Sequence, residues 1–190
     1  MKKHIIFVLL VILVSIFPIN AQDNGKTSET EKPKVYKANP EDVESIDSII
    51  KATYNVISGD AGVERNWDRF HSLFHPSARL IPSGKSQGSD AFDAFPLTPA
   101  DYIKRSGNFL VTNGFHEQEI ARRTEVFGHI AHVFSTYEGR NKLTDEKPFL
   151  RGINSFQLLN DGKRWWILSI YWQQESKDDP LPEKYLKTVN

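Results

Sequence analysis

The sequence contains no cysteine among its 190 residues. This absence excludes disulfide bonds, a thiol nucleophile, a metal site built from thiolates and the lipid anchor of a lipoprotein. A domain of about 150 residues can bury a sufficient hydrophobic core without disulfides. The lack of cysteine therefore restricts the chemistry of the protein without arguing against a secreted location.

Net charge is also absent, since 24 Lys and Arg residues balance 24 Asp and Glu residues. Loss of Lys2 and Lys3 with an N-terminal signal would leave 22 basic and 24 acidic residues, still close to neutral. Nucleic acids and anionic membrane surfaces recruit proteins through positive charge. We therefore expect no nucleic-acid partner.

The sequence has no apolar run long enough to cross a bilayer, which takes about 20 residues. Its longest run, Ile5–Phe17, has 13 residues and follows Lys2 and Lys3. A breaker and a small residue, Pro18–Ala21, come next. This order predicts a cleaved signal peptide over residues 1–21, a periplasmic or secreted protein and no stable membrane anchor. An uncleaved anchor is the alternative.

Two segments have too few apolar residues to build a core. Residues 22–40 are predicted to form a flexible leader because little burial would offset the entropy of ordering them. Residues 175–190 form a second polar tail, although Tyr185 and its apolar neighbours could dock on the domain. The remaining residues, 41–174, have the length of one domain.

Helical patterns dominate the first part of that domain. Apolar residues recur at spacings of three and four over 42–57 and again over 67–74. Thr98 followed by Pro99 is typical of a helix start and predicts a third helix over 99–110. Between the second and third helices, Ala78–Pro82 resembles a short strand, and Pro82–Leu97 is predicted to be a long loop.

Four long strand-like runs follow the helices. They span Phe115–Val126, Ile130–Arg140, Phe149–Leu159 and Arg164–Gln173. Short glycine-containing turns join the first two and the last two as hairpins. Helices followed by such strands predict an α+β fold in which a cone-shaped, curved antiparallel sheet wraps around three N-terminal helices and leaves a pocket. Bulky residues on both faces of the last strand predict a central position or a homodimer contact.

The order of elements resembles the nuclear transport factor 2-like superfamily. Within it, Tyr54–Gly59, Trp67–Phe74 and Ala78–Pro82 are similar to segments of secreted bacterial members of the SnoaL-like type. The resemblance covers residues 41–174 and implies a cavity between the helices and the sheet. It does not imply one activity, because this superfamily includes enzymes, binding modules and domains without known activity.

The activities of two superfamily members do not carry over to this chain. In ketosteroid isomerase the general base is a carboxylate at the end of the short strand after the second helix, whereas Leu80–Ser83 contains no Asp or Glu. Scytalone dehydratase uses strand histidines, and His116, His129 and His132 match no motif of that enzyme. The resemblance therefore predicts the fold and leaves the reaction open.

A small, mainly apolar molecule is the predicted ligand, bound in the cone cavity. The side chains expected to contact it are Tyr54, Trp67, His71, Tyr137, Asn154 and Trp172. The aromatic residues would supply walls, and Asn154 and Tyr137 would orient polar atoms of the ligand. Core packing is the alternative role of the aromatic residues, and solvent exposure is the alternative for the strand residues.

The alternative function is a cofactor-free isomerase, dehydratase or cyclase in the same cavity. His71 or His132 would be the base and Tyr54 the acid or oxyanion donor. Strand alternation puts His116 opposite Glu117 and Glu119, so these residues do not predict a metal site. The absence of a nucleophile elbow disfavours serine hydrolysis, and the absence of a glycine-rich dinucleotide motif disfavours nicotinamide chemistry. We expect no cofactor.

Overall fold

The computed structural model describes residues 36–86, 88 and 91–188. The predicted signal peptide and nearly all of the predicted leader lie outside the described residues. The described part of the chain forms four α-helices and six strands. They are α1 (Pro40–Val43), α2 (Ile46–Ile57), α3 (Trp67–Leu73), β1 (Phe74–Lys85), β2 (Phe92–Ala94), α4 (Pro99–Asn113), β3 (His116–Phe127), β4 (Ile130–Arg140), β5 (Leu150–Asn160) and β6 (Trp165–Gln174).

The first predicted helix is two helices in the structure. The break falls at Ser45, whose hydroxyl accepts a hydrogen bond from the backbone N–H of Ser48 at 3.0 Å and caps α2. A serine side chain that satisfies a free N–H in this way favours a new helix start over continuation. The third predicted helix begins at Pro99, as expected, with Thr98 and Asp101 forming a capping box.

All six strands form one sheet in the order β2-β1-β6-β5-β4-β3. The four long strands pair antiparallel, but β1 pairs parallel with β6. The prediction of an antiparallel sheet was therefore wrong for this pair. The last strand β6 lies inside the sheet, where bulky residues on both faces predicted it.

The segment between the second and third predicted helices is more ordered than the sequence indicated. Instead of a five-residue strand, β1 runs over 12 residues and changes register between Phe74 and Arg79. The predicted loop contains β2, which pairs antiparallel with the end of β1. These pairings are non-local, and Pro76 and Pro82 within β1 argue locally against a long strand because proline is uncommon inside strands.

Bulges bend the sheet around the helices. One lies in β3 between Glu119 and Ala121, and another follows Gln157 in the pairing of β5 with β6. An extra residue in one strand increases the local twist and curvature. The concave face packs against α2 through fully buried side chains such as Ile49, Ile50 and Phe156. This curvature separates the helices from part of the sheet and makes room for a cavity.

The convex face of the sheet receives part of the polar C-terminal tail. The Thr136 hydroxyl on β4 donates a hydrogen bond to the backbone carbonyl of Tyr185 at 2.6 Å. The Tyr185 ring meets Phe134 edge-on, with ring centroids 5.0 Å apart. None of the helices in the described ranges combines the length and apolarity that a membrane crossing requires.

Candidate functional site

A cavity of about 210 Å³ lies between α2, α4 and the concave face of the sheet. Most of its wall is apolar or aromatic, including Phe70, Leu110, Phe156, Ile170 and Trp172. The polar groups of the wall belong to eight residues. Besides Ser106 and Gln174, they are Thr53, Tyr54, Tyr102, Glu117, Tyr137 and Asn154. An apolar cavity with a few polar groups is the usual form of a site for a small molecule.

Four of the six predicted ligand residues line this cavity: Tyr54, Tyr137, Asn154 and Trp172. Tyr54 reaches it from the buried face of α2, while the other three project from β4, β5 and β6. The pairing register explains their convergence, because Asn154 on the central strand β5 faces Ser135 on one neighbour and Trp172 on the other. Side chains at paired positions point to the same face of a sheet.

Trp67 lies one layer behind the cavity wall rather than in it. Its ring meets Phe70 edge-on, with centroids 5.8 Å apart. A Cβ atom at Gly107 of α4 would lie 3.3 Å from the Trp67 ring, so the two helices approach closely at this point. Trp67 therefore supports Phe70 and α4, which do form the wall.

The structure brings neither predicted histidine into the cavity. His71 stacks on Tyr36, with ring centroids 4.4 Å apart and an angle of 12° between the rings. His132 pairs through Nε2 with the Ser155 hydroxyl at 3.1 Å on the convex face, opposite to Asn154. A base within the cavity must come from another residue, because these two rings lie outside its wall.

Glu117 is the carboxyl group of the cavity, and sequence reasoning did not select it. Burial among apolar side chains raises its pKa to about 8, because a carboxylate loses its hydration there. Asn154 opposes this effect by donating a hydrogen bond from Nδ2 to Oε1 of Glu117 at 3.3 Å. At neutral pH the carboxyl group is therefore mostly protonated and uncharged.

Strand alternation was the signal that could have identified Glu117. The sequence places it on the same face as Glu119, but does not show which face is concave. Tyr102 was missed for a related reason, since it lies on the side of α4 that meets Phe70 at 5.5 Å and Trp172 at 6.4 Å between ring centroids. Only the packing of α4 on the sheet makes this tyrosine part of the wall.

The three tyrosines of the wall keep their protons over the ordinary pH range. Burial raises the pKa of Tyr54, Tyr102 and Tyr137 above the usual value, and the nearby Glu117 raises it further. Their hydroxyl groups therefore act as neutral hydrogen-bond donors and acceptors. With Glu117 protonated, the cavity near neutral pH carries polar groups without net charge.

Hydrogen bonds connect Asn154 to the region behind the cavity wall. Asn154 Nδ2 donates to the Tyr54 hydroxyl at 3.1 Å, and this hydroxyl lies 2.7 Å from Ser135 Oγ. Ser135 donates to Glu119 Oε1 at 2.6 Å, and Glu119 forms an ion pair with Arg122 at 2.6 Å. We call these five residues the Asn154–Arg122 chain.

Two polar atoms of buried residues that line the cavity keep unused hydrogen-bonding capacity. Tyr137 is 3% exposed and Asn154 is 7% exposed. The Tyr137 hydroxyl and the Asn154 carbonyl oxygen make no hydrogen bond with the described residues, although the Asn154 amide nitrogen makes two. No fully buried side-chain nitrogen or oxygen atom of the described residues lacks a hydrogen-bond partner, so these two atoms are accessible from the cavity. Both atoms are therefore suited to a ligand with polar atoms at one end.

No cluster of three His, Asp or Glu side chains suited to a metal ion occurs among residues 36–86, 88 and 91–188. The wall itself supplies hydrogen-bonding groups and the Glu117 carboxyl group.

No family model matches the sequence, and the search of curated proteins found no match. Solved structures with similar folds do exist. A protein of unknown function with a cystatin-like fold from Nostoc punctiforme aligns with a TM-score of 0.53 at 8% identity, covering 70% of this chain and 90% of that chain. An uncharacterised protein with a cystatin-like fold from Caulobacter vibrioides gives 0.52 at 12% identity, covering 71% and 90%.

A candidate scytalone dehydratase from Novosphingobium aromaticivorans also aligns, with a TM-score of 0.53 at 12% identity, covering 77% of this chain and 92% of that chain. At such identities, structural similarity establishes the fold and leaves the activity open. The curved sheet, the preceding helices and these alignments confirm that the chain has the cone-shaped α+β fold of the nuclear transport factor 2-like superfamily.

Proposed function

We propose that this protein binds a small, mainly apolar molecule with one polar end in the cone cavity. The observation that carries the proposal is the unused hydrogen-bonding capacity of Tyr137 and Asn154 in a mainly apolar and aromatic wall. Core packing alone would favour apolar residues at both positions, because a polar atom that faces an apolar cavity finds no hydrogen bond there. A ligand with a polar end would supply that hydrogen bond.

The volume of the cavity limits the size of the ligand. A cavity of about 150 Å³ lined by apolar side chains holds benzene. The present cavity, at about 210 Å³, has room for a single aromatic ring or a comparable aliphatic group with a short polar substituent. Its aromatic wall, with Phe70, Tyr102 and Trp172, favours a flat apolar body.

The absence of charge on the cavity wall near neutral pH limits the charge of the ligand. Glu117 is mostly protonated at neutral pH, and the tyrosines remain neutral. An ionised ligand would lose its hydration without meeting an opposite charge in this wall. We therefore favour an uncharged molecule, with a carbonyl or hydroxyl group beside Tyr137 and Asn154.

Benzamide and acetophenone test this proposal because each combines one ring with one short polar group. Binding to the purified protein is measured by calorimetry and by shifts of NMR signals from cavity residues. The Ser106→Trp variant places a large ring in the wall contributed by α4 and should abolish binding, whereas Lys104→Trp changes an exposed position of the same helix and should not. If neither probe binds, or if Ser106→Trp binds as well as the unchanged protein, the proposal is wrong.

One observation favours a second candidate function, cofactor-free proton transfer in an isomerase, dehydratase or cyclase. A carboxyl group with a pKa of about 8 can both accept and return a proton near neutral pH. Glu117 would take the role that the sequence suggested for His71 or His132. Its carboxylate would remove a proton from the carbon next to a carbonyl group, while a neutral tyrosine hydroxyl would donate a hydrogen bond to the developing oxyanion.

Deuterium exchange into the methyl group of acetophenone measures this proton transfer directly. In D₂O, Glu117 would remove a proton and return a deuteron, so mass spectrometry would follow the label. The exchange rate should rise with pH through about 8, because only the ionised carboxylate is a base. Glu117→Gln should abolish the catalysed exchange, and Glu125→Gln, an exposed change on the same strand, should retain it. Binding without catalysed exchange would leave a binding protein and reject the enzyme.

The location and assembly state belong to the same proposal. Residues 1–21 support export to the periplasm or out of the cell, and N-terminal sequencing of the mature protein would test this.

A homodimer through the sheet is supported by Tyr171 of β6, which is 47% exposed. Sedimentation at high concentration would test it, and a monomer would argue against it. Membership of the SnoaL-like type rests on the three segments that resemble it.

A further inference from the structure

The charged end of the Asn154–Arg122 chain determines which group donates and which accepts in each of its hydrogen bonds. Arg122 Nε and Nη2 donate to Glu119 Oε2 at 2.8 Å and 2.6 Å. A carboxylate held in this ion pair only accepts hydrogen bonds. Ser135 Oγ, 2.6 Å from Glu119 Oε1, must therefore use its single proton to donate to Glu119.

The direction continues inward from Ser135. Because Ser135 has no second proton, the hydrogen bond of 2.7 Å between Ser135 and Tyr54 must be donated by Tyr54. Tyr54 keeps its proton, since burial raises its pKa, but that proton is already used. The 3.1 Å contact with Asn154 must then be donated by the amide nitrogen of Asn154.

The orientation of the Asn154 amide is thus set by chemistry, although its oxygen and nitrogen have nearly the same shape. Nδ2 donates one proton to the Tyr54 hydroxyl and the other to Glu117 Oε1, at 3.3 Å. The carbonyl oxygen Oδ1 is left as an acceptor in the cavity wall. This oxygen is complementary to a ligand that has a hydrogen-bond donor.

We propose that Ser135 and Glu119, which lie behind the cavity wall, determine ligand specificity by holding Asn154 with its carbonyl oxygen toward the ligand. The site would then select molecules whose polar end combines a donor with an acceptor, such as a primary amide or an alcohol, over ketones and esters of the same shape. This inference rests on the proposed binding function. Ser135 and Glu119 act as positioning residues, because neither touches the ligand.

Benzamide and acetophenone form a matched pair for the test, because an amino group in one replaces a methyl group in the other. The unchanged protein should bind benzamide more tightly. In Ser135→Ala, Tyr54 loses its acceptor and turns its proton to Asn154, whose amide rotates and presents Nδ2 to the ligand. The ratio of benzamide affinity to acetophenone affinity should fall about fivefold, the effect of one hydrogen bond.

A second variant and a control keep the result interpretable. Ser135 is fully buried and its loss could unfold the protein, whereas Glu119→Gln changes a less enclosed position. A neutral amide there can turn its nitrogen to Ser135, so the direction is no longer forced and the affinity ratio should also fall. Ser155→Ala removes a hydroxyl from the opposite face of β5 and should leave the ratio unchanged.

Exchange of the Asn154 side-chain amide protons with water gives a readout without ligand. Both protons are hydrogen-bonded, so exchange followed by NMR should be slow in the unchanged protein and faster in Ser135→Ala and Glu119→Gln. If neither probe binds, the binding function fails while this measurement still tests the orientation of Asn154. An unchanged affinity ratio, or unchanged amide exchange in both variants, would overturn the inference.

Discussion

Replacement of Glu117 by glutamine should stabilise the protein at high pH. The pKa of Glu117 is about 8 in the folded protein, against an ordinary value of 4.5 that we take for the unfolded chain. Between these pH values the unfolded chain releases the proton while the folded protein keeps it. The free energy of unfolding therefore falls as pH rises from about 4.5 to about 8, and is constant with respect to this group outside that window.

The magnitude follows from the same pKa values. One pKa unit corresponds to about 1.4 kcal/mol, so complete ionisation of Glu117 costs on the order of 5 kcal/mol of folding stability. Glutamine cannot ionise and keeps a similar shape. Glu117→Gln and the unchanged protein should have nearly equal stability near pH 4.5, and the variant should be several kcal/mol more stable near pH 9.

Urea unfolding at several pH values between about 4.5 and 9 measures this difference directly. Carboxyl groups whose pKa is lowered by ion pairs and hydrogen bonds, such as Asp42 and Glu175, are present in both proteins and therefore act equally on both. Glu125→Gln on the exposed part of β3 is the matched control, and its stability relative to the unchanged protein should not vary over the window. A difference between Glu117→Gln and the unchanged protein that stays constant from pH 4.5 to pH 9 would refute our description of Glu117.

Two further predictions concern the scaffold of the cavity. The buried side chain of Arg65 donates hydrogen bonds to five backbone carbonyl groups and so connects the end of α2 to α4. Arg65→Met should therefore lower the free energy of unfolding by about 3 kcal/mol in urea titrations, while Arg105→Met on the exposed side of α4 should change it little. A Cβ atom at Gly152 would lie 2.5 Å from the Tyr137 hydroxyl and would also overlap a backbone carbonyl of β6, so Gly152→Ala should cost about 2 kcal/mol and weaken benzamide binding. Gly84→Ala, where a Cβ atom meets nothing within 4 Å, is the control for thermal unfolding and binding, and equal effects of the two glycine variants would contradict this reasoning.

Local signals in the sequence were sufficient for most element boundaries. The strand Ile130–Arg140 was predicted without error, because a glycine turn precedes it and its own alternation defines it. The start of α4 was found from Thr98 and Pro99, which act through contacts within one turn. Such signals depend on neighbours in sequence and need no knowledge of the fold.

The errors concern contacts between distant segments. The length of β1 depends on its parallel pairing with β6, and about 90 residues separate Leu80 from its partner Ile170. His71 lies on the helical stripe that the sequence identified, but part of that stripe meets Tyr36 rather than the cavity. A periodic pattern predicts that a side chain is buried and does not specify what covers it.

The sequence by itself determined the α+β order of elements and the absence of thiol chemistry, because each depends on composition or on periodicity along the chain. Tertiary structure alone decided that Glu117 and Tyr102 face the cavity and that His71 and His132 do not. The physical reason is strand register and curvature: alternation divides the side chains of a strand into two faces, and only the bend of the whole sheet around α2 makes one of those faces the inside.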